Sequence, residues 1–223
     1  IGHGIVIEGE DTQDNEIRLN FIGTTADGLL PLPNEGSGGF ILNAPNNLIG
    51  GPPPPTSIVI PPAFALNPYG NLISGNAGNG IEISGSKASQ TVVQANIIGL
   101  DRDGSKPVPN ESNGILINDA PENLFGLRLN PRDLNDGAFN LISGNSQNGI
   151  KIVGPNASEN ILRGNFIGTD RTGLIIDTDG DPLNGNDLGN GASGVMIENA
   201  PRNEIVPSTS RGNNVSSGNN QHG

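Results

Sequence analysis

Asn20-Phe21-Ile22-Gly23, Asn71-Leu72-Ile73-Ser74, Asn96-Ile97-Ile98-Gly99, Asn140-Leu141-Ile142-Ser143, Asn165-Phe166-Ile167-Gly168 and Asn214-Val215-Ser216-Ser217 repeat one design six times. Asparagine opens it, an apolar pair follows, and Gly or Ser closes it. A β unit this short cannot bury its apolar side alone and must stack on copies of itself. The sequence therefore reads as a solenoid.

Working outward, a second starter precedes each run. It stands close by at Asn15-Glu16-Ile17, Thr91-Val92-Val93 and Asn160-Ile161-Leu162. It stands farther away at Asn47-Leu48-Ile49, Asn123-Leu124-Phe125 and Asn203-Glu204-Ile205. A third segment, opened by glycine, completes the coil: Gly39-Phe40-Ile41-Leu42, Gly80-Ile81-Glu82-Ile83, Gly114-Ile115-Leu116-Ile117, Gly149-Ile150-Lys151-Ile152 and Gly194-Val195-Met196-Ile197. Three short strands punctuated by Gly, Asn and Ser make a coil that bends at fixed corners. No stretch has a helical period. Coils begin near 15, 47, 91, 123, 160 and 203, and six of them stack to a rod on the order of 30 Å tall. Odd coils insert loops after the second strand, at 24–38, 100–113 and 169–193. Even coils insert after the first, at 52–70, 127–139 and 206–212.

The asparagines are expected to tolerate left-handed corners and to hydrogen-bond from coil to coil. Glycine before the third strand is expected to serve a turn of positive φ. In that strand the side chains alternate, which predicts Ile41, Glu82, Leu116, Lys151 and Met196 as the outward series.

A net charge of −12 on 223 residues disfavours nucleic acid and anionic lipid as partners, because phosphate binding needs a basic surface. Aromatic residues, at 3%, offer few stacking platforms for sugars. With no cysteine there is neither a disulfide framework nor thiol chemistry. No signal-peptide pattern and no long apolar run occur, so membrane insertion is not expected.

The runs Asn140-Leu141-Ile142-Ser143-Gly144-Asn145 and Asn165-Phe166-Ile167-Gly168-Thr169-Asp170 resemble the right-handed parallel β-helix family with pectate-lyase-like repeats, of the kind found in large secreted or surface bacterial proteins. The resemblance covers nearly the whole chain. It implies an all-β, right-handed parallel β-helix, read as a single domain over 1–223 and as a segment of a longer repeat protein. It does not choose an activity, since that fold hosts lyases, hydrolases, epimerases, tailspikes and passive stalks.

Gly2-His3-Gly4-Ile5 is similar to the histidine motif of polygalacturonase-type glycosidases, but the Asn-Thr-Asp, paired Asp and Arg-Ile-Lys motifs of those enzymes are missing. His3 sits where Asn79 and Asn148 sit, before the third-strand glycine, and His222-Gly223 repeats the pattern, so it reads as a corner residue. The sharpest chemical feature is Asp177-Thr178-Asp179-Gly180-Asp181-Pro182-Leu183-Asn184-Gly185-Asn186-Asp187. Its carboxylates can wrap a hard cation, which makes Asp177, Asp179, Asp181 and Asp187 candidate ligands for a structural calcium ion. Asp, Asn and Gly are also ordinary turn formers. Lyase chemistry would need a base such as Lys151 near an acid-binding calcium site; Glu82 lies two coils away, with no arginine on that face. The Pro-rich insert from Gly51 to Leu66 is stiff and apolar. It is expected to cover Ile41 and Leu116 on the rod, or to meet another chain through Ile58, Ile60, Phe64 and Leu66.

The functional expectation is a non-catalytic extracellular scaffold, or an adhesive or fibrous segment of a bacterial surface protein. The competing class is a carbohydrate-active enzyme or glycan-binding module, with a polysaccharide as partner. Because His3-Gly4 shares a repeat phase with His222-Gly223, the chain spans six coils, and unpaired strand edges at the ends predict head-to-tail self-association.

Overall fold

Short β-branched runs between glycines and asparagines favour strands of a few residues over helices. The computed structural model describes residues 2–51, 70–126, 139–177, 187–207 and 213–221, and among these there is no helix. In chain order the strands are β1 (Ile5–Glu8), β2 (Glu16–Ile17), β3 (Phe21–Ile22), β4 (Gly39–Leu42), β5 (Leu48–Gly50) and β6 (Leu72–Ile73). Next come β7 (Ile81–Ser84), β8 (Val92–Gln94), β9 (Ile97–Ile98), β10 (Ile115–Asn118), β11 (Leu124–Gly126) and β12 (Leu141–Ile142). The last are β13 (Ile150–Val153), β14 (Ile161–Arg163), β15 (Phe166–Ile167), β16 (Val195–Glu198), β17 (Glu204–Val206) and β18 (Val215–Ser216).

Every third strand joins the same sheet. Sheet A runs β1-β4-β7-β10-β13-β16, sheet B β2-β5-β8-β11-β14-β17 and sheet C β3-β6-β9-β12-β15-β18, all parallel. This is the expected right-handed parallel β-helix, with coils at the expected positions. Its interior is a column of aliphatic side chains: Ile83, Ile117 and Ile152 from sheet A, Ile49, Val93 and Leu162 from sheet B, Ile73, Ile98 and Ile142 from sheet C. Phe125 fills the middle. Burying each such side chain contributes roughly 1.5–3 kcal/mol.

Three sequence expectations are corrected. Ile41 does not face outward: it pairs with Ile83, points into the core and is fully buried, while Phe40 pairs with Glu82 on the outside. The cause is the Gly38-Gly39 doublet, in which Gly38, not Gly39, holds the place of Gly80. The ladder asparagines are not left-handed. At the corner into sheet B the preceding residue takes that conformation: Asp14, Asn46, Gln90 (before Thr91), Glu122, Glu159 and Arg202 all have φ between 57° and 60°. Before the next strand Leu19, Ala95 and Gly164 also have positive φ, though Phe139 does not. Nor is Gly80, Gly114 or Gly149 at positive φ. A Cβ on Gly80 would stand 2.6 Å from the Gly114 carbonyl oxygen and 2.7 Å from Ile98 Cγ2, so close approach between coils excludes a side chain there.

The corners between sheets A and B also alternate. Gly9, Gly85 and Gly154 open corners in one set of coils, Asn43, Asp119 and Asn199 in the other. A side chain on Gly85 or Gly154 would collide with the carboxamide of Asn43 or the carboxylate of Asp119 in the preceding coil. The repeating unit is therefore two coils, as the alternating inserts suggest.

Amide ladders tie the coils together. Asn20, Asn71, Asn96, Asn140, Asn165 and Asn214 form one, each Nδ2 donating to the next Oδ1 at 2.9–3.1 Å. A second runs through Asn15, Asn47, Asn123, Asn160 and Asn203 and is interrupted by Thr91, whose buried hydroxyl has no partner. A third, through Asn34, Asn76, Asn110, Asn145, Asn190 and Asn219, is not evident in the sequence.

Candidate functional site

The outer face of sheet A is where paired coils bring polar side chains into one surface. Its second strand positions carry Val6, Phe40, Glu82, Leu116, Lys151 and Met196 in that order up the rod. Beside them runs a reversed ladder, in which Asn113 donates to Asn79 and Asn148 to Asn113, both at 2.9 Å. His3 belongs to this ladder, as the corner reading expects. Its Nδ1 accepts the Ser37 backbone N–H at 3.0 Å, as Asn148 Oδ1 accepts that of Ser193. The imidazole stacks on Phe40 with centroids 4.6 Å apart.

Glu82 is the best-held carboxylate on this face. One of its oxygens, Oε2, accepts from the Ser37 hydroxyl at 3.0 Å and from Asn79 Nδ2 at 3.1 Å; the other, Oε1, accepts from the Ser84 hydroxyl at 3.2 Å. The sequence hides this network, because Ser37 and Glu82 lie in different coils. Lys151 pairs with Glu198 at 3.2 Å. Leu116 stands between Glu82 and Lys151. The acid and the base are thus separated by about 10 Å of strand spacing, and each has another partner.

The odd-coil loops fold over sheet C. Phe21, Leu72, Ile97, Leu141 and Phe166 alternate with the core residues, point outward and join Leu100 and Leu188 in a second apolar cluster. Each loop makes a tight turn closed by a short acidic or hydroxyl side chain. Asp101 accepts the N–H groups of Ser105 and Lys106, and Asp170 those of Thr172, Leu174 and Ile175. Gly28, Gly104 and Gly173 supply the left-handed residue, with φ of 66–70°. In the first loop the Thr25 hydroxyl donates to Asp27 at 2.5 Å, which holds the Asp27 carboxyl below its ordinary pKa, helped by the Leu29 N–H.

Of the four candidate calcium ligands, Asp177 and Asp187 meet across an antiparallel bridge at the base of their loop. Asp187 Oδ1 accepts the Gly189 N–H at 2.9 Å. Asp179 and Asp181 lie outside the described residues, as do Ile58, Ile60, Phe64 and Leu66 of the Pro-rich insert. No group of three or more His, Cys, Asp or Glu side chains suited to a metal occurs among the described residues. No helix among them is long and apolar enough to cross a membrane.

Searches of the curated proteins and of the solved structures find no match. The model of one family, described as periplasmic copper-binding protein (NosD), matches residues 69–222, more than half of the chain. On that match and the three parallel sheets, the chain belongs to the NosD family of β-helix repeat proteins.

Proposed function

We propose that this chain is a non-catalytic β-solenoid scaffold that works outside the cytoplasm. The family description, with its periplasmic placement, supports the compartment. One observation carries the scaffold reading: the polar groups of the sheet A face are engaged in holding coils together. Glu82 is bound by three donors, Lys151 by Glu198, and His3 by Phe40 and Ser37. A lyase or hydrolase needs an acid and a base poised across one bond, and here neighbouring coils already use those groups.

The copper in the family description does not fit the donors of this chain. Copper(I) selects thiolate and thioether, and copper(II) takes imidazole nitrogen with further nitrogen or oxygen donors. The chain has no cysteine, one methionine and two histidines. His3 precedes β1 and Met196 lies in β16, at opposite edges of sheet A, about 24 Å apart by strand spacing. His222 lies outside the described residues. The carbohydrate-active alternative is tested by incubating the chain with a panel of acidic and neutral polysaccharides and following unsaturated product and new reducing ends. The scaffold reading expects no turnover. Turnover that is lost in Glu82→Gln or Lys151→Met would overturn it.

A further inference from the structure

Asparagine followed by glycine is the pair in which the next backbone nitrogen reaches the side-chain amide with least hindrance, because the second residue has no Cβ. The fold sets this pair at one corner in three successive coils: Asn79-Gly80, Asn113-Gly114 and Asn148-Gly149. A fourth, Asn190-Gly191, lies in the third amide ladder. Asn184-Gly185 lies outside the described residues. Packing demands both halves of the pair. The ladders need the carboxamide, and a Cβ on Gly80, Gly114 or Gly149 would stand 2.6–2.7 Å from the carbonyl oxygen of the matching glycine in the next coil. A Cβ on Gly191 would collide with the Ser146 carbonyl. The same packing holds the pairs unreactive. The N–H groups of Gly80, Gly114, Gly149 and Gly191 donate to the carbonyls of Asn113, Asn148, Ser193 and Asn145 at 2.8–3.0 Å. Asn79 Oδ1 accepts the Asn113 N–H, Asn113 Oδ1 that of Asn148, and Asn148 Oδ1 that of Ser193, at 3.1–3.3 Å, which fixes each carboxamide against the adjacent coil. Asn79, Asn113, Asn148 and Asn190 are 8%, 5%, 7% and 0% exposed, shielded from water.

We infer that Asn79, Asn113, Asn148 and Asn190 are latent modification sites: the fold holds off their deamidation, opening of the coils starts it, and the product blocks refolding. The glycine nitrogen, once deprotonated, attacks the asparagine Cγ. A C–N bond forms and closes a five-membered imide, the Cγ–Nδ2 bond breaks, and ammonia leaves with the proton. Water then opens the imide at either carbonyl, giving aspartate or isoaspartate. Neither product fits the coil. Aspartate at 113 removes the Nδ2 donor and sets an oxygen 2.9 Å from Asn79 Oδ1, and at 148 it does the same to Asn113 Oδ1. At 79 it faces the Glu82 carboxylate, which Asn79 Nδ2 meets at 3.1 Å. At 190 it loses the donations to Asn219 Oδ1 and to the Ile142 carbonyl, at 2.8 and 3.0 Å. A buried carboxylate facing acceptors is strongly disfavoured. Isoaspartate at 79, 113 or 148 adds a backbone methylene just ahead of β7, β10 or β13, against the register of sheet A. Unfolding thereby becomes one-way, and the lifetime of the protein follows how rarely its coils open. These sites act alike whether the chain is a scaffold or an enzyme.

Peptide mass mapping of the 223-residue chain, after digestion at acid pH, tests this. The chain is held native and in concentrated urea at the same mildly alkaline pH and temperature. At all four sites conversion should be at least about a thousandfold slower in the native chain, because it proceeds through the open fraction. Chains held in urea for increasing times are then returned to buffer and separated by size exclusion. The compact fraction should keep the amide at 79, 113, 148 and 190, while the acid collects in the unfolded or aggregated fraction. The same time in acid urea, where the imide does not form, should leave refolding complete. Asn113→Asp, made directly, should fail to fold or should unfold at a lower urea concentration than the parent. No conversion in alkaline urea, or conversion equally fast in the native chain, overturns the proposal. So does acid at these sites as abundant in the compact fraction as in the other, an equal loss of refolding in acid urea, or an unchanged midpoint for Asn113→Asp.

Discussion

Replacing Asn96 with alanine measures what the ladders contribute. Asn96 is fully buried. Its Oδ1 accepts the Asn71 backbone N–H at 3.0 Å and Asn71 Nδ2 at 2.9 Å. Its Nδ2 donates to the Ile49 and Gln94 carbonyls at 2.9 and 3.0 Å and to Asn140 Oδ1 at 3.1 Å. Alanine orphans the Asn71 N–H and at least one buried carbonyl. Each orphan costs about 1–3 kcal/mol, so the two together cost about 2–6 kcal/mol. Asn20, in the same ladder, is exposed and has no described coil before it; its alanine variant should lose only about 0.5–1.5 kcal/mol. Urea unfolding followed by circular dichroism in the β-sheet band reads both. Asn96→Gly and Ala95→Gly separate this account from one based on left-handed corners. Ala95, not Asn96, has positive φ, at 64°. Glycine should therefore be nearly neutral at 95 and as damaging as alanine at 96. An Asn96→Ala loss below about 1 kcal/mol, or a harmless Asn96→Gly, would refute the reasoning.

Thr91→Asn should complete the second ladder by giving Asn47 a side-chain acceptor in the next coil, raising stability by about 0.5–1.5 kcal/mol in the same assay; an unchanged midpoint counts against it. Gly80→Ala should destabilise by about 1–3 kcal/mol, because its Cβ meets the Gly114 carbonyl, whereas Gly39→Ala, with nothing within 4 Å of its Cβ, should not; melting temperatures of the pair check this. Asp27 should titrate below the ordinary carboxylate range in carboxyl NMR, and Thr25→Val should bring it back up. Since its folded pKa is depressed, its small stabilising effect is present above the unfolded pKa and fades as pH falls through the folded one.

The coils are legible in the sequence because each returns the same strand and starter residues, and the period survives loops of any length. The register of β4 is not, since in Gly38-Gly39 either glycine could hold the place of Gly80, and a shift of one residue turns Ile41 from core to surface. The third ladder escapes for a different reason. Asn76, Asn145 and Asn219 closely follow their Asn motifs, but Asn34, Asn110 and Asn190 lie beyond the odd-coil loops, so no fixed spacing links the six. The outward residue of each Asn motif looks like core from sequence because it is apolar; Leu72, Ile97 and Leu141 are indeed buried, and Phe21 and Phe166 partly so, but in the cluster with Leu100 and Leu188 rather than inside the coil. Asp170 reads as a generic polar residue until its turn is seen to wrap three N–H groups around one carboxylate.

Glu82 gives the most direct test of whether the sheet A face is structural. Residues kept for chemistry are commonly held at a cost to the fold, and replacing them leaves stability unchanged or raises it. Glu82 instead satisfies Ser37, Asn79 and Ser84 across two coils. The unfolding free energy of Glu82→Ala should therefore fall by about 1.5–3 kcal/mol, the range for hydrogen bonds to a charged group. A variant as stable as the parent, or more stable, would contradict the scaffold account and mark this face as a working site.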